Sequence, residues 1–151
     1  MTREERCELA IERGYIYDFE TGYIYNRYGK ISKSIQAKGY VQIAAGVNKK
    51  TFQILGHHFA WYCVYGNCKT EQIDHINGVR DDNRIINLRS VTRQQNQWNR
   101  KTAKGYGWNK SVNKWEARIQ VNNKQIYLGL FNIEADARNA YINAKEKYHI
   151  I

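Results

Sequence analysis

The stretch that most constrains this fold runs from Glu71 to Arg100, EQIDHINGVRDDNRIINLRSVTRQQNQWNR. Gln72 to His75 reads as a short strand, and Asn77-Gly78 behind it is a strong turn signal. Leu88 to Val91 can form a second strand. Thr92 then suits an N-cap, with Gln95 as its capping-box partner. On the helix that follows, Asn96 lies about one turn beyond Thr92. Two strands and a helix would bring Asp74, His75 and Asn96 together. Asp74 and Asn96 offer oxygen ligands, which a hard divalent ion such as Mg²⁺ prefers. His75 is the side chain of the group that can take a proton near neutral pH. A metal beside a neutral imidazole is the equipment for activating water against a phosphodiester. Taken alone, Asp81-Asp82-Asn83-Arg84 is an ordinary solvated turn.

A DH pair, a short loop holding Asn and Gly, then DNR..NLR..T...N closely resembles the HNH endonucleases, above all the homing endonucleases of phages and mobile introns. The three namesake positions of that family fall on His75, Asn87 and Asn96, with Asn replacing His in the third, a common variant. The resemblance implies that His75 is the general base, with Asp74 and Asn96 binding a single Mg²⁺ or Mn²⁺. It implies that Asn87 holds the loop between the strands by hydrogen bonds. Asn99 is an alternative to Asn96 as ligand. Upstream, His57 to Trp61 resembles the HRLAW segment preceding the DH pair in this group, with His58 where Arg is usual. His57 is read either as a structural, hydrogen-bonded residue or as a further active-site group.

The 151 residues suffice for one ordinary domain or two small ones, burying roughly 68–70% of the unfolded surface if compact. A net charge of +10 and a pI near 9.6 favour a polyanionic partner such as nucleic acid. No apolar run approaches a membrane span, and MTREERCELA lacks a signal-peptide core, so a cytoplasmic protein is expected, in a bacterial host cell if phage- or intron-encoded. Cys7, Cys63 and Cys68 are odd in number and widely spaced, which reads as free thiols. A zinc site drawing on Cys63, Cys68 and a nearby His is the alternative, without a CxxC to support it.

Residues 2 to 13 read as a helix with Thr2 and Glu5 forming a capping box. Tyr15 to Asp18 and Tyr23 to Asn26 read as a hairpin around Glu20-Thr21-Gly22. Tyr40 to Ala45 and Lys50 to Ile54 read as a second, turning across Gly46-Val47-Asn48. These hairpins are open to two readings, a basic platform along a phosphate backbone or a plain scaffold. An apolar helix over residues 57 to 65 ends at Gly66.

After Lys101 the pattern changes. Trp115, Ala117, Ile119 and Val121 alternate with Glu116, Arg118 and Gln120. Ile126, Leu128 and Leu130 alternate with Gln125 and Tyr127, across a tight Asn122-Asn123 turn. Tyr106 to Lys110 supplies a first strand. Asn132 is expected to cap a helix reaching Tyr148, with Ile133, Ala137, Ala140, Tyr141, Ala144 and Tyr148 as its apolar face. Gly105-Tyr106, Lys114 to Ile119, Tyr127 to Phe131 and the Ala-rich helix resemble the plant ethylene-response-factor (APETALA-type) DNA-binding domain. In that family the open sheet face enters the major groove, which implies such a role for Arg118, Gln120, Gln125 and Tyr127 here. Gln120 and Gln125 stand where the plant proteins often carry Arg. Arg93, Lys104 and Lys110 extend the basic track.

The expectation is therefore an α+β chain: a ββα-metal nuclease domain over 1–101, then a three-stranded antiparallel sheet packed on one helix over 104–151. It is expected to cut double-stranded DNA as a monomer or homodimer, with one ion per site and no membrane. The alternative is a regulator that binds DNA through residues 104 to 148 without cutting it.

Overall fold

The computed structural model describes residues 1–98 and 104–150. They form a mixed α/β chain of small antiparallel sheets and short helices, divided into two compact units, Met1–Thr92 and Arg93–Ile151.

In the first unit, helix α1 (Arg3–Glu12) starts at Thr2, whose side chain accepts from the Glu5 N–H while a Glu5 carboxylate oxygen accepts from the Thr2 N–H. Both orphan donors are thereby satisfied, and Glu4 and Glu5 complement the helix dipole. Strands β1 (Ile16–Tyr17) and β2 (Ile24–Tyr25) pair antiparallel. Their connection folds back because Asp18 Oδ1 accepts from the backbone of Glu20 and Thr21. Strands β3 (Gln42–Val47) and β4 (Lys50–Leu55) form the second hairpin. Its turn, expected across Gly46-Val47-Asn48, lies instead at Asn48-Lys49, with φ of 50° and 61°. A two-residue turn with both φ positive matches the twist of its strands, so pairing runs on through Gly46 and Val47.

Helix α2 (Gly56–Tyr65) follows β4 directly and stops at Gly66, left-handed at φ 67°. Strands β5 (Gln72–His75) and β6 (Leu88–Val91) pair antiparallel, with a 3-10 turn at Ile85–Asn87 leading into β6. Side chains from α1, both hairpins, α2, β5 and β6 share one core, in which Phe59, Ile24 and Cys7 are fully buried. Each large apolar side chain in it contributes about 1.5–3 kcal/mol.

The second unit begins with α3 (Arg93–Trp98) and continues as β7 (Tyr106–Asn109), β8 (Lys114–Val121) and β9 (Lys124–Phe131), paired in that order, then α4 (Glu134–Tyr148). The β8–β9 turn is Asn122-Asn123, both at positive φ. Ile119, Tyr141 and Ala144 centre the core between sheet and helix. Two details differ from the sequence pattern. Pairing shifts between Ala117↔Gly129 and Arg118↔Tyr127, a β-bulge that turns Leu130 to face Glu116. Leu130 is consequently 39% exposed rather than in line with Ile126 and Leu128. The residue at the N-cap of α4 is Ile133, not Asn132; it is extended, 60% exposed and makes no side-chain capping bond, so it leaves the apolar face of the helix to Ala137, Tyr141 and Ala144.

Close approach also fixes one glycine here. A β-carbon at Gly105 would lie 2.1 Å from the Tyr141 ring and 2.4 Å from the Arg118 carbonyl oxygen. Gly105→Ala is expected to destabilise this unit by about 1–3 kcal/mol, read as an earlier thermal transition in the full chain.

Candidate active site

The β5–β6 hairpin supplies the site. Register sets Asp74 opposite Arg89 and His75 opposite Leu88. Ile73, Asp74 and His75 are all buried, so this short strand is covered on both faces. A buried carboxylate needs a partner, and Arg89 donates from Nε at 3.1 Å and Nη2 at 2.9 Å to a single oxygen, Asp74 Oδ2.

His75 Nε2 lies 3.1 Å from Asn83 Oδ1. An amide oxygen only accepts, so this contact is a hydrogen bond in the tautomer that carries its proton on Nε2 and leaves the basic lone pair on Nδ1. Burial lowers the affinity of the His75 ring for a second proton, opposed by the Asn83 hydrogen bond and by the Asp74 charge. The ring also packs edge-on to His57 with centroids 5.1 Å apart, and tilted to Tyr40 at 5.9 Å. The Arg80 guanidinium covers Tyr40 at 5.2 Å from the ring centre.

The loop between the strands is bound internally. Asn87 Oδ1 accepts from the Asn77 N–H at 3.0 Å, while its Nδ2 donates to Asn77 Oδ1 and to the Asp82 carbonyl at 3.0 and 2.9 Å. The Asp82 carboxylate accepts from the Arg84 guanidinium twice, from the Arg84 N–H and from Asn77 Nδ2. Arg84 is the main reason that the Asp82 carboxyl is held down to about 2.

His57 is 5% exposed, and its Nδ1 has no hydrogen-bond partner among the described residues. Burial drives its pKa down to about 2 and that of His58 to about 4, so both stay neutral near pH 7. Cys7 and Cys68 both point their thiols at the His58 carbonyl, and all three cysteines are free.

Asp74, His75 and Asn87 are thus neighbours on one hairpin, while Asn96 is half-buried on α3 in the second unit. Asn99 lies outside the described residues. Arg93, Lys104 and Lys110 are exposed. Cross-strand pairing puts Arg118 beside Tyr127 and Gln120 beside Gln125 on the exposed face of the second unit's sheet. Glu116 on the same face accepts from Arg118 and from Asn109. Lys104, Lys110, Arg118, Gln120 and Gln125 line a cleft of about 650 Å³. Two residues of the hairpin site were not evident from the sequence. Arg89 follows once the two strands are paired in register, whereas the burial of Asn83 has no local signal.

The donor set bears on a metal. Among the described residues no three His, Cys, Asp or Glu side chains are grouped as ligands, so a zinc cage is not assembled there. A lone carboxylate supplemented by amide oxygens is instead a hard oxygen set, and Asp74 fits it.

A search among curated proteins finds no match. Among solved structures, the HNH homing endonuclease I-HmuI, described for its DNA binding and cleavage, is similar at 30% identity and a TM-score of 0.48. That similarity covers 56% of this chain and 50% of the other, so the chain spans about half of that relative's length. The HNH endonuclease family matches residues 55–98, from the end of β4 through α3. The Asp74-His75 strand, its loop and the preceding helix all lie inside the segment that is similar to the HNH endonuclease family.

Proposed function

We propose that this protein is a metal-dependent DNA endonuclease of the homing type, acting in the cytoplasm of a bacterial host as a monomer or homodimer. The observation that carries the reading is the buried His75, with Nε2 against Asn83 and Asp74 next to it in the HNH segment. In this reading His75 Nδ1 takes a proton from water, and the oxygen of that water bonds to the scissile phosphorus as the bond to the 3′-oxygen breaks. Asp74 and Asn96 would hold one Mg²⁺ or Mn²⁺. A divalent ion there supplies stabilisation of the charge that builds on the phosphate. Asn87 keeps the β5–β6 loop in shape and does no chemistry.

Residues 104–151 serve in this proposal as a DNA-binding domain like that of the ethylene-response factors, with Arg118, Gln120, Gln125 and Tyr127 facing base edges. Arg93, Lys104 and Lys110 contact phosphates. The exposed polar sheet face also favours a second reading, a regulator that binds DNA without cutting it.

Nicking of supercoiled plasmids, including host and mobile-element DNA, tests both. Cleavage in Mg²⁺ or Mn²⁺ that stops on adding EDTA is the expected result. Cleavage indifferent to chelation would remove the metal from the mechanism. Binding without nicking on every DNA would favour the regulator.

A further inference from the structure

Asn83 sits in the acidic turn between β5 and β6, yet it is 2% exposed. Its backbone carbonyl accepts from the Tyr17 hydroxyl at 2.8 Å, and its N–H donates to the Asp81 carbonyl at 3.2 Å. Two glycines make room for it. A β-carbon at Gly56 would stand 2.8 Å from Asn83 Nδ2, and one at Gly22 would stand 2.8 Å from the Asn83 carbonyl carbon. The first hairpin closes on the backbone of this residue and the start of α2 on its side chain, so both hold the site loop in place here. Its Oδ1 is aimed at His75 Nε2 at 3.1 Å. On other sides the same imidazole is bounded by the rings of His57 and Tyr40.

We propose that Asn83 is a positioning residue for the phosphodiester cleavage assigned to His75: it holds the His75 ring as the Nε2–H tautomer and presents Nδ1 as the basic atom. The inference rests on the endonuclease reading for its catalytic consequence, but not for the tautomer. A neutral imidazole in water exchanges its proton between both nitrogens. An acceptor held in this way removes that freedom, because only the N–H form satisfies a buried amide oxygen. Solvating the turn would have left Asn83 outside; enclosing it leaves Oδ1 with His75 as its partner.

The test uses the full chain labelled with ¹⁵N-histidine, with the His75 resonances assigned by their loss in His75→Gln. At a pH where the ring is neutral, the wild type is expected to show protonated Nε2 and unprotonated Nδ1. Asn83→Leu, which keeps the branched shape of the side chain and removes the acceptor, is expected to mix the tautomers. It should lower kcat for plasmid nicking roughly 10–100-fold with KM for DNA unchanged, the usual scale for losing a partner that orients a histidine. Asn83→Asp retains an acceptor oxygen and should restore the Nε2–H form and most of the rate. An Nδ1–H tautomer in the wild type would overturn the proposal. So would an Asn83→Leu protein with its tautomer or its kcat unchanged. If Asn83→Leu does not fold, the wild-type tautomer and Asn83→Asp decide. A wild-type chain that nicks no DNA overturns the endonuclease reading, while the tautomer still shows whether Asn83 sets His75.

Discussion

Purified His75→Ala is expected to lose roughly 10²–10⁴-fold in the rate of plasmid nicking, the usual contribution of a positioned general base. Its DNA affinity should stay close to that of the wild type, because His75 is 4% exposed and the cationic residues lie elsewhere in the chain. The change removes a buried ring between His57, Tyr40 and Asn83, so a thermal melt must accompany the assay. A folded, DNA-binding variant without cleavage is the expected outcome. Unchanged cleavage would show that another group activates the water.

The pH dependence carries the same assignment. The proposed general-base role needs the neutral ring, and burial disfavours the imidazolium, so the His75 pKa lies below the ordinary 6.5. Activity should therefore persist as pH falls through 6.5 and fail only as it crosses the lowered value. An acid limb above 6.5 would contradict a buried His75 as base.

Much of the site hairpin was legible because its signals are local. The Asp74-His75 strand, the Asn77-Gly78 turn and the Leu88–Val91 strand each rest on neighbours within a few residues. The Thr2–Glu5 capping box and the Gly66 stop are local as well. Asn83 was not legible, since its burial depends on Tyr17, separated by 66 residues, and on two distant glycines. In Asp-Asp-Asn-Arg, nothing local separates a solvated amide from an enclosed one. The displaced hairpin turn has a different cause. Gly46 attracts a turn assignment, yet Asn48 and Lys49 adopt positive φ and leave Gly46 in the ladder. The Leu130 register error is one of phase: a bulge adds a residue, and strict alternation cannot anticipate it.

Gly22→Ala is expected to be among the most damaging single substitutions in the first unit, although Gly22 is in a hairpin turn and makes no contact with His75 that its sequence position suggests. Gly22 has φ of +75°, where an L side chain is strained by about 1–2 kcal/mol. Its β-carbon would also stand 2.4 Å from the Arg84 nitrogen and 2.8 Å from the Asn83 carbonyl carbon. Those atoms are backbone and cannot swing aside, so the turn or the site loop must move, at a further cost of roughly 1–3 kcal/mol. Gly29 separates the two effects. Its φ is +70°, but nothing lies within 4 Å of the position a β-carbon would take. Gly29→Ala should therefore show only the conformational cost and keep full nicking activity. Gly22→Ala should melt earlier than Gly29→Ala, by about 4–8 °C for each further kcal/mol in a unit of this size. It should also lose cleavage at temperatures where it remains folded, because shifting residues 83–84 moves the acceptor away from His75 Nε2. Equal melting temperatures for the two variants would mean that the first hairpin does not press on the site loop, and active Gly22→Ala would separate that loop from catalysis.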